Sequence, residues 1–92
     1  MAIIMISELP GAGLEFADVA RQQGLFDQMK SALGFTGHRS GATDSGYRVF
    51  EVWESPEAHQ AWLDGTVKPS LPPGAEPVAP AYIELLAQVQ PS

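Results

Sequence analysis

Two strand-like stretches hold the residues whose types and spacing could do chemistry. Gly34-Phe35-Thr36-Gly37-His38-Arg39 leads to Gly46-Tyr47-Arg48-Val49-Phe50-Glu51-Val52-Trp53. Period-two alternation in the second stretch puts Tyr47, Val49, Glu51 and Trp53 on one face and Arg48, Phe50 and Val52 on the other. With Thr43-Asp44-Ser45-Gly46 as hairpin loop, position 42 opposes 47 and His38 falls directly across from Glu51. A register shifted by one residue would put Arg39 there instead. A carboxylate beside an imidazole fixes its tautomer and raises its basicity, which is what a base needs to take a proton from an acidic phenol or a 1,3-diketone. The same two residues would also make an ordinary cross-strand polar contact in a half-buried sheet.

Around this pair, Trp62, Tyr82, Tyr47 and Phe26 supply flat surfaces that could form a slot for an aromatic ligand or simply pack as core. Trp53 reads as core. An acidic substrate would depend on a local cation, Arg39 or Arg48. His59, three residues before Trp62, is expected at the surface edge of its helix. The two histidines lie twenty-one residues apart with no clustered acids, which is neither the ligand count nor the spacing of a zinc or non-haem iron centre, so no metal site is expected. Gly11-Ala12-Gly13 lacks the further glycine or lysine of a phosphate loop and reads as turn and helix start.

The elements that must position these residues follow from pattern and punctuation. Ile3 to Ser7 is a short apolar strand ended by Leu9-Pro10-Gly11. From about Leu14 to Leu33, Phe16, Val19, Ala20, Phe26, Met29 and Leu33 recur near helical spacing, with Gly24 denting or briefly breaking the helix. Phe35 to Ala42 and Gly46 to Trp53 form the hairpin. Ser55 as N-cap, Pro56 in the first helical position and Glu57 at the positive helix end start a second helix, with Ala58, Ala61, Trp62 and Leu63 inward until Gly65. Five prolines between Pro69 and Pro80 make that stretch a surface connection or flap. Ala81 to Val89 alternates as a last strand. The order β-α-β-β-α-β predicts an α+β fold, a ferredoxin-like four-stranded antiparallel sheet with two helices on one face, in one domain over residues 1–92.

Composition narrows the partners. Eleven acids against five bases, net −6, argue against a nucleic-acid surface, because phosphate binding needs clustered Lys and Arg and the five bases here are scattered. No cysteine is present, which excludes disulfides and thiolate chemistry. Met1 to Ile6 lacks the layout of a secretory leader and no run approaches the roughly 18 apolar residues of a membrane span, so a soluble, cytoplasmic protein without membrane contact is expected. The chain has only 17% charged residues, and Phe50, Val52, Ile83 and Leu85 share the sheet face that the helices leave bare. Burying that face against a second copy is the expected completion.

The run Gly34-Phe35-Thr36-Gly37-His38, followed by Arg48-Val49-Phe50-Glu51-Val52-Trp53-Glu54-Ser55-Pro56-Glu57-Ala58 within this layout, resembles the dimeric α+β barrel superfamily and, inside it, the small antibiotic-biosynthesis-monooxygenase-like domains. The resemblance covers nearly the whole chain and is specific in its central half. It implies a homodimer whose two sheets face each other, pairing as a dimeric α+β barrel, with pockets between each sheet and its own helices. Such domains include cofactor-free oxygenases of aromatic polyketides, haem-degrading enzymes, small polyketide cyclases and proteins without assigned activity. It also gives Trp62 the helix-two tryptophan position that lines the pocket in haem-degrading members. Two departures weigh against haem degradation here. The position of the iron-ligating histidine, counted without gaps, is Leu71, and Met5 stands where those enzymes have a strand-one asparagine, a residue this chain lacks altogether.

The expectation that results is a cofactor-independent monooxygenase-like enzyme for an aromatic or polyketide-like small molecule. His38 and Glu51 would handle the proton, Trp62, Tyr82, Tyr47, Phe26 and Arg39 would hold the substrate, and no metal, flavin or haem would be carried. A non-catalytic dimeric small-molecule-binding or accessory protein of the same fold, or a polyketide cyclase using the same base without oxygen, remains open on the same residues.

Overall fold

A computed structural model describes residues 1–10, 21–71, 74, 78–89 and 91. The glycine loop Gly11-Ala12-Gly13 and the predicted helix from Leu14 to Ala20 lie outside the described residues. The elements are β1 (Ile3–Pro10), α1 (Leu25–Met29), β2 (Phe35–Thr43), β3 (Gly46–Trp53), α2 (Pro56–Trp62), a π-helical turn (Leu63–Val67), α3 (Lys68–Ser70) and β4 (Ala81–Glu84). The four strands form one antiparallel sheet in the order β2-β3-β1-β4. This is the α+β ferredoxin-like arrangement.

Alternation along β3 decides which face is core. Tyr47, Val49, Glu51 and Trp53 are all buried, whereas Arg48 and Phe50 are exposed. β1 matches that phase, with Ile3 opposite Trp53 and Met5 opposite Glu51. Tyr82 on β4 lies across from Met5, so it shares the inner face. On the outer face Ile4 pairs with Val52 and Ile83, and Ile6 with Phe50. Phe50 and Ile83 there remain 42% and 50% exposed.

Helix α2 begins as its first residues dictate. The Ser55 side chain accepts from the Ala58 backbone N–H at 3.1 Å, and Pro56 follows in the first turn. The helix lies close to the sheet beside Gly34, where φ is +85° and a Cβ would stand 2.7 Å from that of Ala58. Only glycine fits that approach.

Several boundaries differ from the sequence reading. The first helix ends at Met29 rather than Leu33, which is 90% exposed, and Gly24 at φ 75° breaks the helical path ahead of α1 as expected. Gly65 does not end the second helix, since a π-helical turn absorbs it and carries the chain on to Ser70. Ala61 faces solvent instead of the core. β1 runs on past Ser7 to Pro10 because β3 pairs with it along that whole length. β4 stops at Glu84: Leu85 donates one more bond to the Ala2 carbonyl, and among the described residues the alternation out to Val89 has no ladder to join. The hairpin loop is only Asp44-Ser45, with Thr43 paired to Gly46. Thr36 is the extra residue of a bulge in β2, and its hydroxyl donates to the Val52 carbonyl at 2.9 Å.

Candidate functional site

β3 carries Glu51 to the inner sheet face, where 5% of it stays exposed. A carboxylate that deep keeps its charge only where donors meet it. The register places His38 directly opposite, with Nδ1 2.8 Å from Glu51 Oε2. Trp53 Nε1 donates to Oε1 at 2.9 Å, and His59 Nε2 lies 3.8 Å from the same oxygen. An ionised carboxylate only accepts, which assigns the His38 proton to Nδ1 and leaves Nε2 as the acceptor. Ser40 Oγ stands 2.9 Å from that Nε2 and itself accepts from the Tyr47 hydroxyl. The hydrogen bonds therefore run one way, from Tyr47 through Ser40 and His38 to Glu51.

The second histidine reaches the same carboxylate from the helix side. One helical turn aligns His59 with Trp62, so the face that buries Trp62 buries His59 as well, to 2% exposure. The surface position expected for His59 is thus overturned. Its Nδ1 accepts from the Tyr82 hydroxyl at 2.8 Å, and that hydroxyl in turn accepts from Gln60 Nε2 at 2.6 Å. Burial holds the His59 imidazolium below its ordinary range, an effect that the Glu51 charge only partly offsets. Burial also pushes the Tyr82 phenol up, against the Gln60 bond and together with the charges of Glu51 and Glu57. Tyr82 therefore keeps its proton and His59 stays neutral at pH 7.

Between the inner sheet face and the helices lies a cavity of about 160 Å³. Met5, Val49 and Glu51 form its floor, His38 and Phe26 one side, and His59 and Trp62 the other. The π-helical turn contributes Leu63 and Val67, and the proline-rich connection covers the space with Leu71, Val78 and Pro80. The described ends of that connection thus wall the cavity. The Phe26 and His38 rings are 5.2 Å apart at 60°, which limits how far the imidazole can swing. An apolar chamber with an oriented imidazole, a buried carboxylate and Ser7 in its lining has the chemistry to hold a small apolar molecule with an ionisable group.

Of the residues singled out in the sequence, His38, Glu51, Trp62 and Phe26 come together on this cavity. Tyr82 and Tyr47 stand behind it, their hydroxyls engaged by His59 and Gln60 and by Ser40. Arg39 pairs across from Phe50 on the outer face, so β-strand alternation turns it away from the cavity. Trp53, with no exposed surface, is core and a donor to Glu51. Sequence reasoning missed Ser40 and the inward turn of His59. The signals were Ser40's place two residues after His38 and His59's place three before an inward tryptophan.

The sequence profile of the antibiotic biosynthesis monooxygenase family matches residues 1–67, and the chain belongs to that family. Comparison with curated proteins finds no match. Among solved structures, the haem-degrading protein of Mycobacterium tuberculosis in haem-free form is similar at 24% identity and a TM-score of 0.65, over 98% of this chain and 97% of that one. The same protein with two haems bound in its active site gives 20% identity and 0.64, over 98% and 100%. A Streptomyces coelicolor monooxygenase in complex with nanaomycin D gives 15% identity and 0.61, over 99% and 92%. These likenesses are likenesses of fold.

Proposed function

We propose that this chain is a cofactor-independent monooxygenase-like enzyme for an aromatic or polyketide-like small molecule, with His38 as the base and Glu51 as the acid that orients it. The supporting observation is the His38 imidazole, its Nδ1 2.8 Å from a buried carboxylate, in the wall of an apolar cavity of about 160 Å³. A void of roughly 150 Å³ accepts a benzene-sized ring, so one ring of the substrate enters between Phe26 and Trp62. Its acidic hydroxyl takes the place of Ser40 at Nε2 and gives up its proton there. The resulting electron-rich anion passes an electron to dioxygen, so the substrate itself is the reductant.

Haem, which the Mycobacterium tuberculosis protein binds, does not fit this site. The nitrogens of both histidines in the chain face Glu51, Ser40 or Tyr82. Leu71, an aliphatic side chain, lines the cavity at the position compared with the iron ligand, and the space suits one ring rather than a tetrapyrrole.

A homodimer is part of the proposal, supported by the outer sheet face, where the exposed Phe50 and Ile83 lie beside the half-buried Ile4, Ile6 and Val52. Light scattering is expected to give twice the chain mass, and a stable folded monomer would remove the dimer from the proposal.

The activity test is dioxygen uptake with a panel of hydroxylated aromatics such as naphthols, hydroquinones and anthrones. Uptake matched to product and lost in His38→Ala is expected. Conversion without uptake would reassign the base to cyclisation, and binding without conversion by the wild type would leave a binding protein.

A further inference from the structure

We propose that Ser40, His38 and Glu51 form an acyl-transfer triad, with the exposed Ser40, outside the cavity lining, as the nucleophile and small aryl esters as the substrate class. This goes beyond the proposed oxygenation, although it calls on two of the same residues. Nucleophilic triads are recognised by geometry rather than by fold: a hydroxyl within hydrogen-bond reach of an imidazole whose other nitrogen is held by an acid. Ser40 Oγ is 2.9 Å from His38 Nε2, and His38 Nδ1 is 2.8 Å from Glu51 Oε2.

Each member has the environment its role needs. Ser40 is exposed, so an ester carbonyl can reach it, whereas Glu51 is buried and its second oxygen is fixed by Trp53. The strand period puts Ser40 on the same face as His38, two residues away.

A second hydroxyl holds the nucleophile in place. The Tyr47 hydroxyl already donates to Ser40 Oγ. Among the described residues β2 is an edge strand, and the backbone N–H groups that such an edge turns outward are the donors that would meet the carbonyl oxygen as it gains charge.

The step balances with water as the only co-reactant. Ser40 Oγ bonds to the carbonyl carbon while its proton passes to His38 Nε2. The bond from carbon to the aryl oxygen breaks, and the leaving phenol carries that proton away. Water, deprotonated by the same nitrogen, then releases the acid and restores Ser40.

The test uses an alkyl fluorophosphonate, which forms an Oγ–P bond with loss of fluoride, and 4-nitrophenyl acetate. Mass spectrometry is expected to find a single adduct on Ser40, formed at least about 10²-fold more slowly in His38→Ala and Glu51→Gln. Ser40→Ala, checked for folding by a thermal melt, is expected to lose the nitrophenol burst. A wild type with no adduct on Ser40, an adduct formed equally fast in both variants, or a burst retained in Ser40→Ala would each overturn the triad. The wild-type labelling result stands whether or not a variant folds. Failed labelling in a protein that still ionises bound 4-nitrophenol would overturn the triad and leave His38 as the base of the proposed oxygenation.

Discussion

Glu51 is flanked by two imidazoles that share a carboxylate and little else. His38 comes from an edge strand, keeps 18% of its side chain exposed and meets Glu51 at 2.8 Å. His59 comes from a helix, keeps 3% and stands 3.8 Å from the other oxygen. The deeper ring is held neutral by burial, with Tyr82 on its far side. The shallower ring has a close acid behind it and a replaceable hydroxyl in front. A proton-transfer group needs both an acid to receive the developing charge and a route by which protons arrive and leave. By that criterion His38 is the one proposed as base, and His59 stands as a buried neutral ring on the other side of the carboxylate.

The comparison breaks most visibly at turnover. His38→Ala and Glu51→Gln are each expected to lower turnover by about 10²–10⁴-fold while circular dichroism shows the fold intact. Full activity in both would remove the pair from the chemistry. Stability should order the histidines the other way. His59→Ala opens a void beside Trp53 and Trp62 and leaves the Tyr82 hydroxyl without its acceptor, at an expected cost of about 3 kcal/mol in urea unfolding. His38→Ala should cost less, and a larger loss there would reverse the assignment.

A pH series sharpens the same contrast. His59 binds its proton less tightly in the folded chain than at the ordinary 6.5, so below that pH the unfolded state takes up more protons. Its contribution is therefore complete above about pH 6.5 and declines as the pH falls, with a slope of at most about 1.4 kcal/mol per unit. Melting temperatures measured from pH 7 to 5 should fall in the wild type and flatten in His59→Gln. The smallest effect is expected from Tyr82→Phe, which removes one hydroxyl from between His59 and Gln60 and should cost about 1 kcal/mol.

How much of this was legible in the sequence depends on which residues had a local ruler. The His38–Glu51 pairing was readable because a period-two hairpin with a short polar turn fixes its own register, and position 42 does oppose 47. Ser55 and Pro56 announced the second helix because capping is a local matter between neighbouring residues. His59 was not readable. Which face of a helix turns inward is set by what the sheet offers it, and the sheet offers a buried carboxylate and the Tyr82 hydroxyl. Arg39 was placed near the ligand by residue type, yet alternation from His38 sends it to the outer face. The early end of β4 had no signal either, because Leu85 to Val89 alternates well and yet finds no neighbouring ladder among the described residues.

The central claim is that His38, backed by Glu51, accepts a proton from a phenol seated in the cavity. The absorption spectrum of 4-nitrophenol titrated with the protein reads this directly, because phenol and phenolate absorb at different wavelengths. With the wild type, the phenolate band is expected to grow on binding at a pH where the free compound is largely protonated, and with His38→Ala the compound should bind with its band unchanged. Equal phenolate formation in the two proteins, or binding to the wild type without ionisation, would contradict the account.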